Sequence, residues 1–121
     1  MIFEVMEERL SDTCAVLQPR GRLNAVTAPE FKAQLKRLVE GGYVQLIVDM
    51  ADVPFVDSSG LAALVSGLKA TRQAGGTLRL TGLSEDVRTV FELTLLERVF
   101  ELYLDKAAAL SALSQERGEG V

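Results

Sequence analysis

A chain of 121 residues, 48% hydrophobic and 25% charged, has the size and balance of one globular domain with a single core, and no apolar run approaches the ~20 residues of a membrane-spanning helix. The formal net charge of −4 argues against binding a nucleic-acid phosphate backbone. There is no histidine, which removes the commonest general base and metal ligand, and a lone cysteine leaves no basis for a zinc site or an internal disulfide.

The opening, Met1 to Leu10, mixes apolar and acidic residues and reads as a strand. It lacks the basic start and apolar segment of a secretion signal, so a cytoplasmic location is expected. Ser11-Asp12 is a turn, and Thr13 to Pro19 reads as a second strand paired back on the first. Cys14 lies in this apolar stretch and reads as a buried structural thiol. Gly21 to Val26 is a loop. Thr27 then starts a helix, with Glu30 at capping-box spacing and Pro29 in the first turn. Phe31, Leu35 and Leu38 recur at helical spacing, and Gly41-Gly42 ends the helix.

Tyr43 to Met50 is nearly continuous and β-branched, the pattern of a central strand covered on both faces. After the junction Asp57-Ser58-Ser59-Gly60, Leu61, Leu64, Val65 and Leu68 mark the apolar face of a second helix that ends at Gly75-Gly76. Thr77 to Thr81 is another strand. Ser84 caps a third helix, with Val87, Val90, Phe91 and Leu95 facing inward. A short strand near Val99–Leu102 follows, and Asp105 caps a last helix through about Leu113. The domain is expected over residues 1–115, with 116–121 a frayed tail. Strands alternating with helices after one hairpin predict an α/β fold. Its mixed, mostly parallel sheet has an antiparallel edge hairpin and about four flanking helices.

In such sheets the loops leaving the carboxyl ends of the strands carry function. Two qualify: Gly21–Val26 and Pro54–Gly60. They are expected to lie near each other. If Ser58 is the N-cap, its oxygen is engaged by a first-turn N–H, and the Ser59 hydroxyl is the freer one. Gly60 would let a partner's backbone come close, and Asp57 adds charge at the positive end of the helix dipole. The bland reading of Asp-Ser-Ser-Gly is a helix cap and nothing more. One serine suffices for that, however, and Phe55-Val56 is unusually apolar for a loop.

Hydrolase chemistry lacks a base: there is no histidine, and Lys69 is ten positions along one helix at ~1.5 Å per residue. The Gly-x-Ser-x-Gly pattern is absent. Gly41-Gly42 and Gly75-Gly76 precede strands, whereas a phosphate-binding loop precedes a helix. No cofactor, metal or catalytic residue is assigned.

Nearly the whole chain resembles the bacterial anti-sigma-factor antagonists, the stand-alone STAS domains. The resemblance is carried by Gly21-Arg22-Leu23-Asn24-Ala25-Val26-Thr27-Ala28-Pro29-Glu30, by Leu46-Ile47-Val48-Asp49-Met50 through Val56-Asp57-Ser58-Ser59-Gly60-Leu61, by Gly75-Gly76-Thr77-Leu78, and by Val87-Arg88-Thr89-Val90-Phe91-Glu92-Leu93. It implies a non-enzymatic cytoplasmic regulator. Unphosphorylated, such a protein binds an anti-sigma factor that is also a serine kinase with a histidine-kinase-like ATPase fold, and a sigma factor is released. The kinase then phosphorylates the second serine of the pair, here Ser59 rather than Ser58, and a metal-dependent serine phosphatase resets the cycle. The resemblance places Asn24, Ala25, Val26, Thr27, Asp57, Ser58, Ser59 and Gly60 at the partner surface. It involves neither nucleic acid nor membrane insertion. Asn24 departs from the family's frequent aspartate, and Asn is equally at home in a turn. Thr94, where the family often carries a small residue, reads as a packing variation. The alternative is a domain of the same fold serving as a scaffold of a stress-sensing assembly or as an accessory subunit of a membrane ABC transporter, with no phosphate switch.

Overall fold

The computed structural model describes residues 3–116. They form a five-stranded sheet whose spatial order follows the chain: β1 (Glu4–Arg9), β2 (Cys14–Arg20), β3 (Gln45–Asp49), β4 (Thr77–Thr81) and β5 (Glu101–Tyr103). β1 and β2 are antiparallel, and every later pair is parallel. Helices α1 (Ala28–Glu40), α2 (Ser58–Gln73) and α3 (Glu85–Leu93) make the crossovers, and α4 (Lys106–Glu116) follows β5.

Each crossover advances one strand in the same direction. With the right-handed sense such connections take, α1, α2 and α3 all fall on one face. The packing agrees. Leu17, Leu46, Val48, Leu78 and Leu80 point into one core with Phe31 and Leu35 of α1, Leu64 and Leu68 of α2, and Val87 and Phe91 of α3. Alternate strand residues point the other way, where Val16 and Ile47 meet Ala109 of α4. β3 lies between β2 and β4, as its β-branched run predicts. The edge strand β1 is mostly exposed and carries Glu4, Glu7, Glu8 and Arg9, charges that discourage pairing with another sheet. Cys14 is buried in β2.

The structure departs from expectation in places. β1 is shorter than Met1–Leu10, and residues 1 and 2 lie outside the described residues, as do 117–121 of the expected tail. α4 runs past Leu113 to Glu116. β5 begins at Glu101 because Leu96–Arg98 form a single 3-10 turn first. Leu95 does not face the core. The Thr94 hydroxyl donates back to the Val90 carbonyl at 2.8 Å, α3 stops at Leu93, and Leu95 takes a left-handed φ of 61° with its side chain 53% exposed. Ser84 and Asp105 do cap their helices, accepting from Val87 N at 3.3 Å and Ala108 N at 2.9 Å.

One feature of β4 was not foreseen. All five of its residues are buried, including Arg79. The Arg79 guanidinium donates to Gln45 Oε1 at 3.1 Å and lies 3.4 Å from the Glu101 carboxylate. Tyr103 donates to the same carboxylate at 2.7 Å. Burial first, then the bond to Glu101, raises the Tyr103 pKa above its ordinary 10.0, with Arg79 acting in the opposite sense. Polar side chains from β3, β4 and β5 thus tie the three strands together on the α4 face.

Candidate functional site

The two loops ahead of α1 and α2 are joined by their backbones. Leu23 and Val56 form an isolated parallel bridge. Leu23 N donates to Phe55 O at 2.9 Å, Asp57 N to Leu23 O at 3.2 Å, and Gly21 N to Asp52 O at 3.0 Å. Both bridge residues are buried, so an apolar pair anchors each loop while its polar residues stay outside. The expected proximity has become a shared platform.

That platform reassigns Gly60. It is buried, and a Cβ placed there would collide with the Leu23 carbonyl oxygen and come within 2.9 Å of Val56 Cγ1. The close approach that requires glycine is to its own chain, not to the backbone of a partner.

In the first loop the Asn24 carboxamide oxygen accepts from Val26 N at 3.0 Å and Thr27 N at 3.2 Å. This is an Asx turn, the role Asn commonly fills. Thr27 Oγ1 accepts from Asn24 N at 3.0 Å and donates to the Arg22 carbonyl at 2.7 Å. The predicted Thr27–Glu30 capping box therefore does not form, and Thr27 makes no side-chain cap bond. The reason is geometric. Ala28 N already donates to Asn24 O at 2.7 Å, so the chain reaches Thr27 in a helical conformation (φ −94°, ψ −24°) and the hydroxyl faces back into the loop. Ala25 is exposed, and Val26 is 86% exposed.

At the second junction the N-cap is Asp57, not Ser58. Asp57 is extended (φ −102°, ψ −172°), and its Oδ1 accepts from Ser59 N at 2.9 Å and Gly60 N at 3.0 Å. Ser58 and Ser59 are the first two residues of α2. Neither hydroxyl hydrogen-bonds to another described residue. Ser58 is exposed and Ser59 half-buried, so accessibility alone does not single out Ser59.

Ser59 instead lines a cavity of about 270 Å³ between α1 and α2, together with Pro29, Lys32 and Ala62. Beside the joined loops, Phe55 is 43% exposed, with the Arg22 guanidinium 5.3 Å from its ring centroid, inside cation–π range. The apolar Phe55-Val56 pair was a visible signal for part of this surface. Nothing in the sequence ties Lys32, on another helix, to Ser59. The Asx turn, Val26, Phe55 and two unengaged hydroxyls make a patch suited to docking. Lys69, the one base considered for a serine nucleophile, lines a separate cavity that does not include Ser59. No helix among the described residues is long and apolar enough to cross a membrane.

The model of the STAS domain matches residues 6–109, from β1 into α4. The chain belongs to the STAS domain family. The anti-sigma-B factor antagonist of Listeria monocytogenes is 36% identical to this STAS domain over 84 residues, covering 68% of this chain and 72% of that protein. The anti-sigma-B factor antagonist of Bacillus subtilis is 32% identical over 82 residues, covering 68% and 74%. Among solved structures, an anti-sigma factor antagonist from Mycobacterium paratuberculosis superposes with a TM-score of 0.81 at 25% identity, over 92% of this chain and 93% of that one. The anti-sigma factor antagonist SpoIIAA in its unphosphorylated form has a TM-score of 0.76 at 20% identity, over 97% of both chains. The Bacillus cell fate determinant SpoIIAA in its phosphorylated form has a TM-score of 0.70 at 18% identity, over 93% of this chain and 99% of that one. These two show the shared fold.

Proposed function

We propose that this STAS domain is a cytoplasmic anti-sigma factor antagonist switched by phosphorylation of Ser59. Unmodified, it binds an anti-sigma factor that is also a serine kinase of histidine-kinase-like ATPase fold, and the sigma factor is released. Phosphate on Ser59 ends that binding, and a serine phosphatase restores it. The observation that carries this reading is the second junction. Asp57 performs the capping, so the serine pair is spared for recognition, on a surface shared with Asn24, Ala25, Val26 and Thr27. The curated relatives carry the corresponding name.

The physics of the switch is local. A phosphate adds about −1.5 to −2 charge at pH 7 and considerable bulk. Placed at an interface formed around a neutral hydroxyl, it weakens docking through desolvation and repulsion while the fold persists. Incubation with the cognate kinase and ATP tests the reading. Ser59→Ala abolishes phosphate incorporation and retains kinase binding, and Ser59→Asp weakens binding by about tenfold or more. Labelling of Ser59→Ala at a single remaining site would transfer the role to Ser58. Equal affinity of Ser59→Asp and the parent would remove the electrostatic switch and favour a scaffold or transporter-subunit role.

A further inference from the structure

A phosphate at a bare helix N-terminus is met by first-turn N–H groups. Here two of those N–H groups are already taken. Asp57 Oδ1 holds the N–H groups of Ser59 and Gly60, so a phosphate on Ser59 would arrive beside a carboxylate at an engaged helix start. Its charge needs a counter-ion from elsewhere.

Lys32 of α1 is positioned for that role. It lines the same cavity of about 270 Å³ as Ser59 and is the sole charged residue among the described residues that do so, the rest of the lining being alanine and proline. Lys32 is exposed, and it makes no ion pair or hydrogen bond to the described residues. Its flexible four-carbon stem can carry the ammonium across the cavity. Lys106 contrasts with it, lying 3.5 Å from Glu8. Lys32 also lines a neighbouring cavity of about 290 Å³ with Lys36 and Lys69. Three of the chain's four lysines thus line these two neighbouring α1–α2 cavities, and Lys32 alone borders both, in a chain whose net charge is −4.

We infer that Lys32 is the built-in counter-ion for a phosphate monoester on Ser59. Its ammonium pairs with the phosphate across the α1–α2 cavity and draws the modified side chain against α1. The inference rests on Ser59 being the modified residue. Its physical content can nevertheless be tested without any kinase.

Phosphoserine is installed at position 59 of the full chain by amber suppression, and its phosphorus-31 resonance is titrated with pH. The second phosphate pKa, ordinarily about 6, rises by about 0.5 in Lys32→Gln. It rises by less than about 0.2 in Lys69→Gln, which makes the same charge change in the neighbouring cavity that Ser59 does not line, and Lys32→Arg keeps the parent value. No change in Lys32→Gln, or equal changes in Lys32→Gln and Lys69→Gln, would overturn the pairing. If the phosphorylated chain does not fold, the carboxyl introduced by Ser59→Glu serves instead. Its pKa then rises by about 0.3 on adding Lys32→Gln, and an unchanged value overturns the pairing. A kinase that ignores Ser59 would sink the switch and leave this titration intact. A flat titration would sink the pairing and leave the switch standing.

Discussion

The two loop-to-helix junctions lie side by side and use similar residues differently. Ahead of α1, Asn24 and Thr27 direct their side chains inward, to Val26 N, Thr27 N and Arg22 O, and the helix starts without a side-chain cap. Ahead of α2, a single carboxylate oxygen of Asp57 satisfies two helix N–H groups, and the two serines behind it are left unengaged. The polar side chains of the first junction are therefore closed on their own loop, and what it leaves exposed is Ala25 and Val26. The second is a presenting surface, because its structural task falls to a residue other than the serines it displays. Gly60 belongs to both, since its missing side chain is what lets Leu23 lie against the start of α2.

The contrast can be broken or sharpened by substitution. The largest effect is expected for Gly60→Ala. The added methyl must displace the Leu23 backbone, and stability falls by about 2–3 kcal/mol in denaturant unfolding. A loss below about 1 kcal/mol would mean that the loops slide apart easily and that the platform is not a fixed joint. Next comes Asp57→Ala, costing about 1 kcal/mol or somewhat more through the lost cap, with Asp57→Asn recovering most of it. Asn24→Ala is expected to cost about 0.5–1 kcal/mol by opening the Asx turn. Asn24→Asp keeps the acceptor and leaves stability within about 0.5 kcal/mol, so any change it causes in partner affinity reports the added charge. The smallest effect is Ser58→Ala, within about 0.5 kcal/mol of the parent. A cap-sized loss there would give the capping role to Ser58 in solution and undo the distinction between the junctions.

Most strands and helices were legible because apolar periodicity is a local signal. Phe31 and Leu35, or Leu64 and Leu68, declare a helical face through their spacing alone. The apolar run Tyr43 to Met50 declares a central strand, although only Gln45–Asp49 of it pair as one. The cap of α2 was less legible because Asp57, Ser58 and Ser59 are all good capping residues. Which one serves depends on where the last extended residue falls, and the Leu23–Val56 bridge decides that. Thr27 misled for a related reason: its spacing to Glu30 fits a capping box, but the turn begun at Asn24 had already claimed its hydroxyl. Nothing local marks Arg79 as a tie between strands, because its partners come from the neighbouring strands β3 and β5.

From its amino acids alone, this chain determined an α/β alternation with one edge hairpin, a serine pair at the head of an apolar helix, and a chemistry without histidine. Each of these is a matter of residue type and short spacing, which the backbone obeys locally. Only tertiary structure decided which residue caps, why position 60 admits no side chain, and that Lys32 shares a cavity with Ser59. Those outcomes depend on contacts between segments distant in the chain, and such contacts exist only once the strands have aligned and the helices have packed over them.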